Sequence, residues 1–230
     1  MTITVPFHQF EIRYTKLLNF SSVLQNTIAP FVPLALDVNV EQENTINCRY
    51  SFRFDNYEIY LYWDRAILRT DGEISHLTEN NSIIEEPFFN LFNKIKNIPS
   101  FGSILNCLCA SIFINHTEKS QQDIVDNFSN EYLCTENTEK VIIKPKDVCL
   151  VLEKNIDEKQ LSLQFGPYLG IEALKKRGIA TKNKDVLSQL DKYGIMAEVK
   201  VFEPLHNVSF ATYKENLKMT LSLRDKLWKI

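Results

Sequence analysis

Glycine is scarce in this chain, six residues in 230. That argues against a glycine-rich phosphate cradle, and neither G-x-G-x-x-G nor G-x-x-x-x-G-K followed by Ser or Thr occurs. An excess of basic charge is also missing. The formal net charge is −3 and the sequence pI about 5.9, which disfavours a general nucleic-acid binder. No long hydrophobic run exists. The longest nearly apolar stretch, 104–114, contains Asn106 and Ser111 and falls far short of the roughly 20 residues that span a bilayer. The opening Met-Thr-Ile-Thr-Val-Pro lacks the basic start and apolar core of a signal peptide, so a cytoplasmic protein without a membrane partner is expected. The five cysteines are an odd number set mostly inside apolar runs, which reads as reduced, buried thiols.

What is present is alternation. Residues 46–69 organise the chain. Ile46, Cys48, Tyr50, Phe52 and Phe54 share one strand face, and Asn47, Arg49, Ser51 and Arg53 the other. Asp55-Asn56 is a two-residue hairpin signal, because both residues tolerate positive φ. The second arm, 57–69, is aromatic on both faces. The spacing also predicts strands at 6–14, 104–114, 148–153, 161–165 and 195–202. A further strand is predicted at 34–40, with Leu34, Leu36, Val38 and Val40 inward. Helices are predicted at 20–29 behind Asn19, from Pro87 to 97, at 118–133, 171–176 and 185–192, and at 210–229 behind Ser209. Residues 166–170 read as a turn. The fold class is therefore α+β, with antiparallel sheets and helices packed on one face, and the pattern admits two related sheet-plus-helix halves. The loop-like stretch 135–140 divides the chain into N-terminal 1–134 and C-terminal 135–230, unless they form one continuous domain.

The chemistry-bearing candidates are few. Glu198-Val-Lys200 puts a carboxylate and an ammonium on one strand face, and with Asp191 or Asp185 upstream it could hold Mg²⁺ for a nuclease. The same pattern arises readily from charge alternation on a half-exposed strand. Cys107 and Cys109 share a face near His116, but no second ligand pair follows, and two core thiols are the better reading. Lys175, Lys176 and Arg177, with Lys182 and Lys184, form the one basic cluster, suited to phosphate, RNA or an acidic partner; a solvated loop is the plainer account. Tyr57, Tyr60, Tyr62 and Trp63 offer either a stacking platform or an interface patch, against the plainer account of core and cross-strand pairing. Leu221 and Trp228 mark a terminal helix that packs on its own sheet or on a partner.

Phe10-Glu-Ile-Arg-Tyr14 resembles the opening strand of a sporadically distributed family of prokaryotic α+β proteins of about this size. Tyr57 to Arg65 is similar to that family's second motif, Phe113-Ile114-Asn115 to its strand ending in Ile-Asn, and Leu205-His206 with Phe210 to its approach to a terminal helix. The family's Arg-Tyr ahead of Ile-Asn is replaced here by Ser111-Ile112-Phe113. The resemblance implies no catalytic site; it implies an accessory protein found among mobile or defence-associated genes. The leading expectation is a non-enzymatic subunit, adaptor or neutralising partner, engaging a protein or a second copy of itself and using no cofactor. The alternatives are the Mg²⁺ nuclease and an RNA-binding protein.

Overall fold

The first elements along the chain are β1 (Ile3–Tyr14), α1 (Phe20–Ile28), β2 (Asp37–Gln42), β3 (Cys48–Arg53), β4 (Tyr57–Tyr62), β5 (Arg65–Thr70) and α2 (Asn90–Lys96). There follow β6 (Ile104–His116), α3 (Gln121–Tyr132), β7 (Leu150–Ile156), β8 (Lys159–Tyr168), α4 (Glu172–Lys175), α5 (Lys184–Leu187), β9 (Gly194–Pro204) and α6 (Phe210–Trp228). The structure is a computed structural model describing residues 3–42, 48–133, 140, 142 and 145–229. Most of the loop expected at 135–140, the boundary expected within it, and Ile46 and Asn47 of the hairpin lie outside the described residues.

All nine strands form one antiparallel sheet in the order β2-β3-β4-β5-β1-β6-β9-β8-β7. The α+β class is thus realised as a single sheet. It has an internal correspondence. From β1 the chain runs through α1 and β3–β5 to α2, with β5 returning beside β1. From β6 it runs through α3 and β7–β9 to α6, with β9 returning beside β6. The two leading strands, β1 and β6, pair antiparallel at the centre, and β2 is an extra strand on one flank.

Period-two alternation decides the core. On one face Phe10, Ile12, Tyr14, Tyr50, Phe52, Ile59, Leu61, Cys107, Cys109, Val199 and Val201 are buried. The longer helices cover this face. Phe20 of α1 meets Tyr50 edge-on, Phe92 of α2 lies against Tyr14, Phe128 of α3 against Phe165, and Tyr213 of α6 against Phe10 at a centroid distance of 4.9 Å. Ring contacts of this kind contribute about 0.5–1.5 kcal/mol each beyond the area they bury. Ser209 caps α6 through a reciprocal pair with Thr212, as its position predicts. Among the described residues only the two four-residue helices, α4 and α5, sit on the other face, over a small cluster of Ile112, Ile114, Tyr168 and Met196.

Four local expectations are corrected. The arm 57–69 is two strands, because Trp63 and Asp64 turn; their carbonyls accept from the amides of Leu17 and Tyr14, which removes the cost of leaving the ladder. The strand expected at 34–40 begins only at Asp37, Leu34 ending a 3-10 turn. Val38 packs on the core as expected, but Leu34, Leu36 and Val40 are exposed, Val40 although it shares the face of Tyr50, because β2 is the outermost strand. Residues 166–168 continue β8 instead of turning, held by pairing of Gly166, Pro167 and Tyr168 with Met196, Ile195 and Gly194. Asn19 precedes α1 but makes no cap bond; its side chain accepts from Ser100. No helix among the described residues is long and apolar enough to cross a membrane.

Candidate functional site

The sheet face opposite the long helices is left largely bare over β2–β5 and β1. Alternation places Gln9, Glu11 and Arg13 of β1 on it, with Arg49, Ser51 and Arg53 of β3, Glu58, Tyr60 and Tyr62 of β4, and Arg65, Ile67 and Arg69 of β5. Five of the chain's seven arginines (13, 49, 53, 65 and 69) therefore share one face, and a sixth, Arg177, reaches it from the segment after α4.

Arg13, Arg49, Arg65, Arg69 and Arg177 are held by rings, carboxylates or both. Arg49 and Arg69 lie over Tyr60 at 5.7 and 5.3 Å, Arg69 also over Phe7 at 5.8 Å, and Arg65 over Tyr62 at 5.6 Å. Glu11, 4% exposed, accepts from Arg13 Nε at 2.6 Å and Gln9 Nε2 at 3.0 Å, and Arg65 stands at 3.8 Å. Arg69 Nε donates to Gln9 Oε1 at 2.8 Å. Tyr60 donates to Glu58, whose other oxygen accepts from Lys182 at 3.1 Å. Burial pushes the Glu58 carboxyl up, but the Tyr60 and Lys182 bonds outweigh it and hold it below the usual carboxylate range. Burial and the same Glu58 bond push Tyr60 up to about 12.

Across β1 and β6 the face meets β9. A cleft of about 320 Å³ opens there, lined by Phe7, Arg69, Arg177, Gly178, Ile179, Glu198 and Lys200. Glu198 is bonded on both sides: Oε2 accepts from Arg177 at 2.9 Å and Oε1 faces Lys200 at 2.9 Å.

The sequence candidates separate in space. Tyr60 and Tyr62 lie on the bare face. Tyr57 has the opposite parity and stacks on Phe54 at 4.3 Å, and Trp63 sits in the β4–β5 turn beneath Lys16. The four aromatics therefore make no single platform. Of the basic cluster, Lys175 pairs with Glu172, Lys176 is exposed, Lys182 crosses to Glu58, Lys184 opens α5, and Arg177 alone enters the cleft. Asp185 lies in α5 and Asp191 in the turn ahead of β9. Both Glu198 oxygens face cations, and among the described residues no three His, Cys, Asp or Glu side chains group together. Cys107 and Cys109 are buried beneath α6, and burial pushes both thiols up to about 12. Leu221 and Trp228 are half-buried against the core, Trp228 edge-on to Phe165.

Phe7, Gln9, Arg13, Arg65 and Arg69 were not among the sequence candidates. The even spacing of Arg49 with Arg53 and of Arg65 with Arg69 could have shown two arginine pairs on strand faces. The meeting of Phe7 with Arg69 and β9 had no local signal. No protein-family model matches the chain, and no curated protein matches it.

Proposed function

We propose that this is a non-enzymatic binding protein whose bare sheet face, centred on Tyr60 and Tyr62, engages another protein through a segment carrying carboxylates. The observation behind this reading is the gathering of six of seven arginines with two tyrosines on the face that no long helix covers. Tyr and Arg are the residue types enriched in interface cores and hot spots. Their ring stacking also reduces the side-chain freedom that association would otherwise freeze out. On β2 the same face carries Asp37, Asn39 and Glu41 opposite Arg53, Ser51 and Arg49, at the exposed edge of the sheet.

The resemblance to a defence-associated prokaryotic family supports a role as subunit, adaptor or neutralising partner in antiviral defence or toxin control. The test is co-purification from a native host with tagged wild type and with the double variant Arg49→Ala/Tyr62→Ala. A truncated hot spot costs about 2 kcal/mol or more, roughly thirtyfold in affinity, so a defined partner should be recovered with wild type and lost from the variant. Native mass measurement separates a foreign partner from a second copy of the chain. A strictly monomeric, partnerless wild type, or a partner retained equally by the folded variant, overturns the reading.

Single-stranded RNA is the second reading, favoured by arginines lying over Tyr60 and Tyr62. Labelled oligonucleotide should then bind far more weakly at about 200 mM than at about 50 mM salt. No binding at the lower salt ends it.

A further inference from the structure

The cleft where the two parts of the sheet meet has a charge and shape that the surface around Tyr62 does not share. Three cations, Arg69, Arg177 and Lys200, face it against one carboxylate, Glu198, leaving two positive charges in excess. That excess balances the dianion of a phosphomonoester and overbalances a carboxylate.

Arg69 is the group built for the purpose. Its Nε is anchored to Gln9, and Gln9 in turn to buried Glu11. Its guanidinium plane is steadied by Tyr60 and Phe7. Its terminal nitrogens meet no hydrogen-bond acceptor among the described residues, and the nearby Glu58 is already bonded to Tyr60 and Lys182. A planar fork fixed at its inner nitrogen and free at its outer ones suits two phosphate oxygens, and the ordering cost is met before any ligand arrives. Arg177 is oriented by Glu198, and Lys200 is half-exposed and able to swing from Glu198 to an incoming anion. Phe7 and Ile179 supply apolar walls for an organic remainder. The volume of about 320 Å³ falls at the small end of ligand sites.

We propose that this cleft binds a small phosphomonoester, with Arg69 donating to the phosphate, Arg177 and Lys200 flanking it, and the remainder of the ligand against Phe7 and Ile179. The site shares Arg69 and Arg177 with the proposed protein-binding face, but its ligand needs no macromolecular partner.

Calorimetric titration with phenyl phosphate at low ionic strength tests it, with benzoate and phenol as controls. Saturable binding of phenyl phosphate is expected, weaker binding of benzoate and none of phenol. Arg69→Lys keeps the charge and loses the fork, and should weaken phenyl phosphate about tenfold or more. Glu198→Gln removes the competing carboxylate and should tighten it. Circular dichroism establishes that both variants fold. No saturable binding at roughly 10 mM phenyl phosphate, about ten times a millimolar Kd, overturns the proposal. So does binding that is the same in wild type and both folded variants, which would make it a general surface effect. Either failure leaves the protein-binding reading standing, because no partner enters the titration.

Discussion

Substituting His8 should flatten the acid limb of this protein's stability curve. His8 sits on β1 beneath α6, fully buried, with Nδ1 2.8 Å from Ser111 Oγ and Nε2 2.9 Å from Tyr213 Oη. A neutral imidazole has one donor and one acceptor, and two hydroxyls satisfy both. Burial drives its pKa from 6.5 down to about 3. In the unfolded chain the imidazole takes up a proton near 6.5, while the folded protein excludes that proton until about 3. Across this window the unfolded state binds more protons, so stability is full above about pH 7 and falls as pH falls. At pH 5 the deficit from His8 alone is about 2 kcal/mol, approached at up to about 1.4 kcal/mol per pH unit.

The assay is urea unfolding followed by circular dichroism between about pH 7 and pH 5, for wild type and His8→Gln. The variant loses buried hydrogen bonds and starts about 1–3 kcal/mol less stable. Its loss over this range should nevertheless be smaller than that of wild type by about 2 kcal/mol. His116, whose pKa burial also lowers, contributes a slope of the same sign to both proteins and cancels in the difference. Equal slopes, or a His8 ring resonance titrating near 6.5, would refute the reasoning.

Two further substitutions test the frame. Gly194→Ala would place its Cβ 2.2 Å from the backbone oxygen of Asn115, where β9 meets β6. Neither strand can yield cheaply, so the expected loss is about 3 kcal/mol, read by thermal unfolding; a change near zero would mean that the pair is looser than described. Ser209→Ala removes the hydroxyl that accepts from Thr212 N at the start of α6. It should cost about 1 kcal/mol, a fall of roughly 2–4 °C in Tm, and an unchanged Tm would show the first turn held by packing alone.

Much of this architecture was legible because period-two alternation in a half-buried sheet writes itself into the sequence. Residues 6–14, 104–114 and 195–202 became strands, and Asp55-Asn56 became a turn, although neither residue adopts positive φ. What failed shares one cause, dependence on position in the sheet rather than on local pattern. Leu34 to Val40 alternates like a core strand, but Leu34 ends a 3-10 turn and β2 is the outermost strand, so Leu34, Leu36 and Val40 stay exposed. Trp63-Asp64 carries no glycine or asparagine, and its turn is secured by the amides of Tyr14, the last residue of β1, and Leu17. The candidate site was half visible. Tyr60 and Tyr62 stood out as surplus aromatics on a strand. Arg69 and Phe7 did not, because their significance comes from pairings across β5, β1, β6 and β9 between residues 60 or more apart in the chain.

The doubled topology gives the cleft its position. With the leading strands β1 and β6 paired at the centre, the returning strands β5 and β9 flank them, and the same face of each presents its charges inward across that pair. Arg69 comes from β5, Phe7 from β1, and Glu198 and Lys200 from β9. Neither β1–β5 nor β6–β9 holds this set alone. Lys182 and Thr181, bonded to Glu58 and Asp71, draw the segment after α4 across the junction and carry Arg177 with it. A charged, concave junction on a face otherwise free of long helices is therefore a consequence of joining two such units edge to edge.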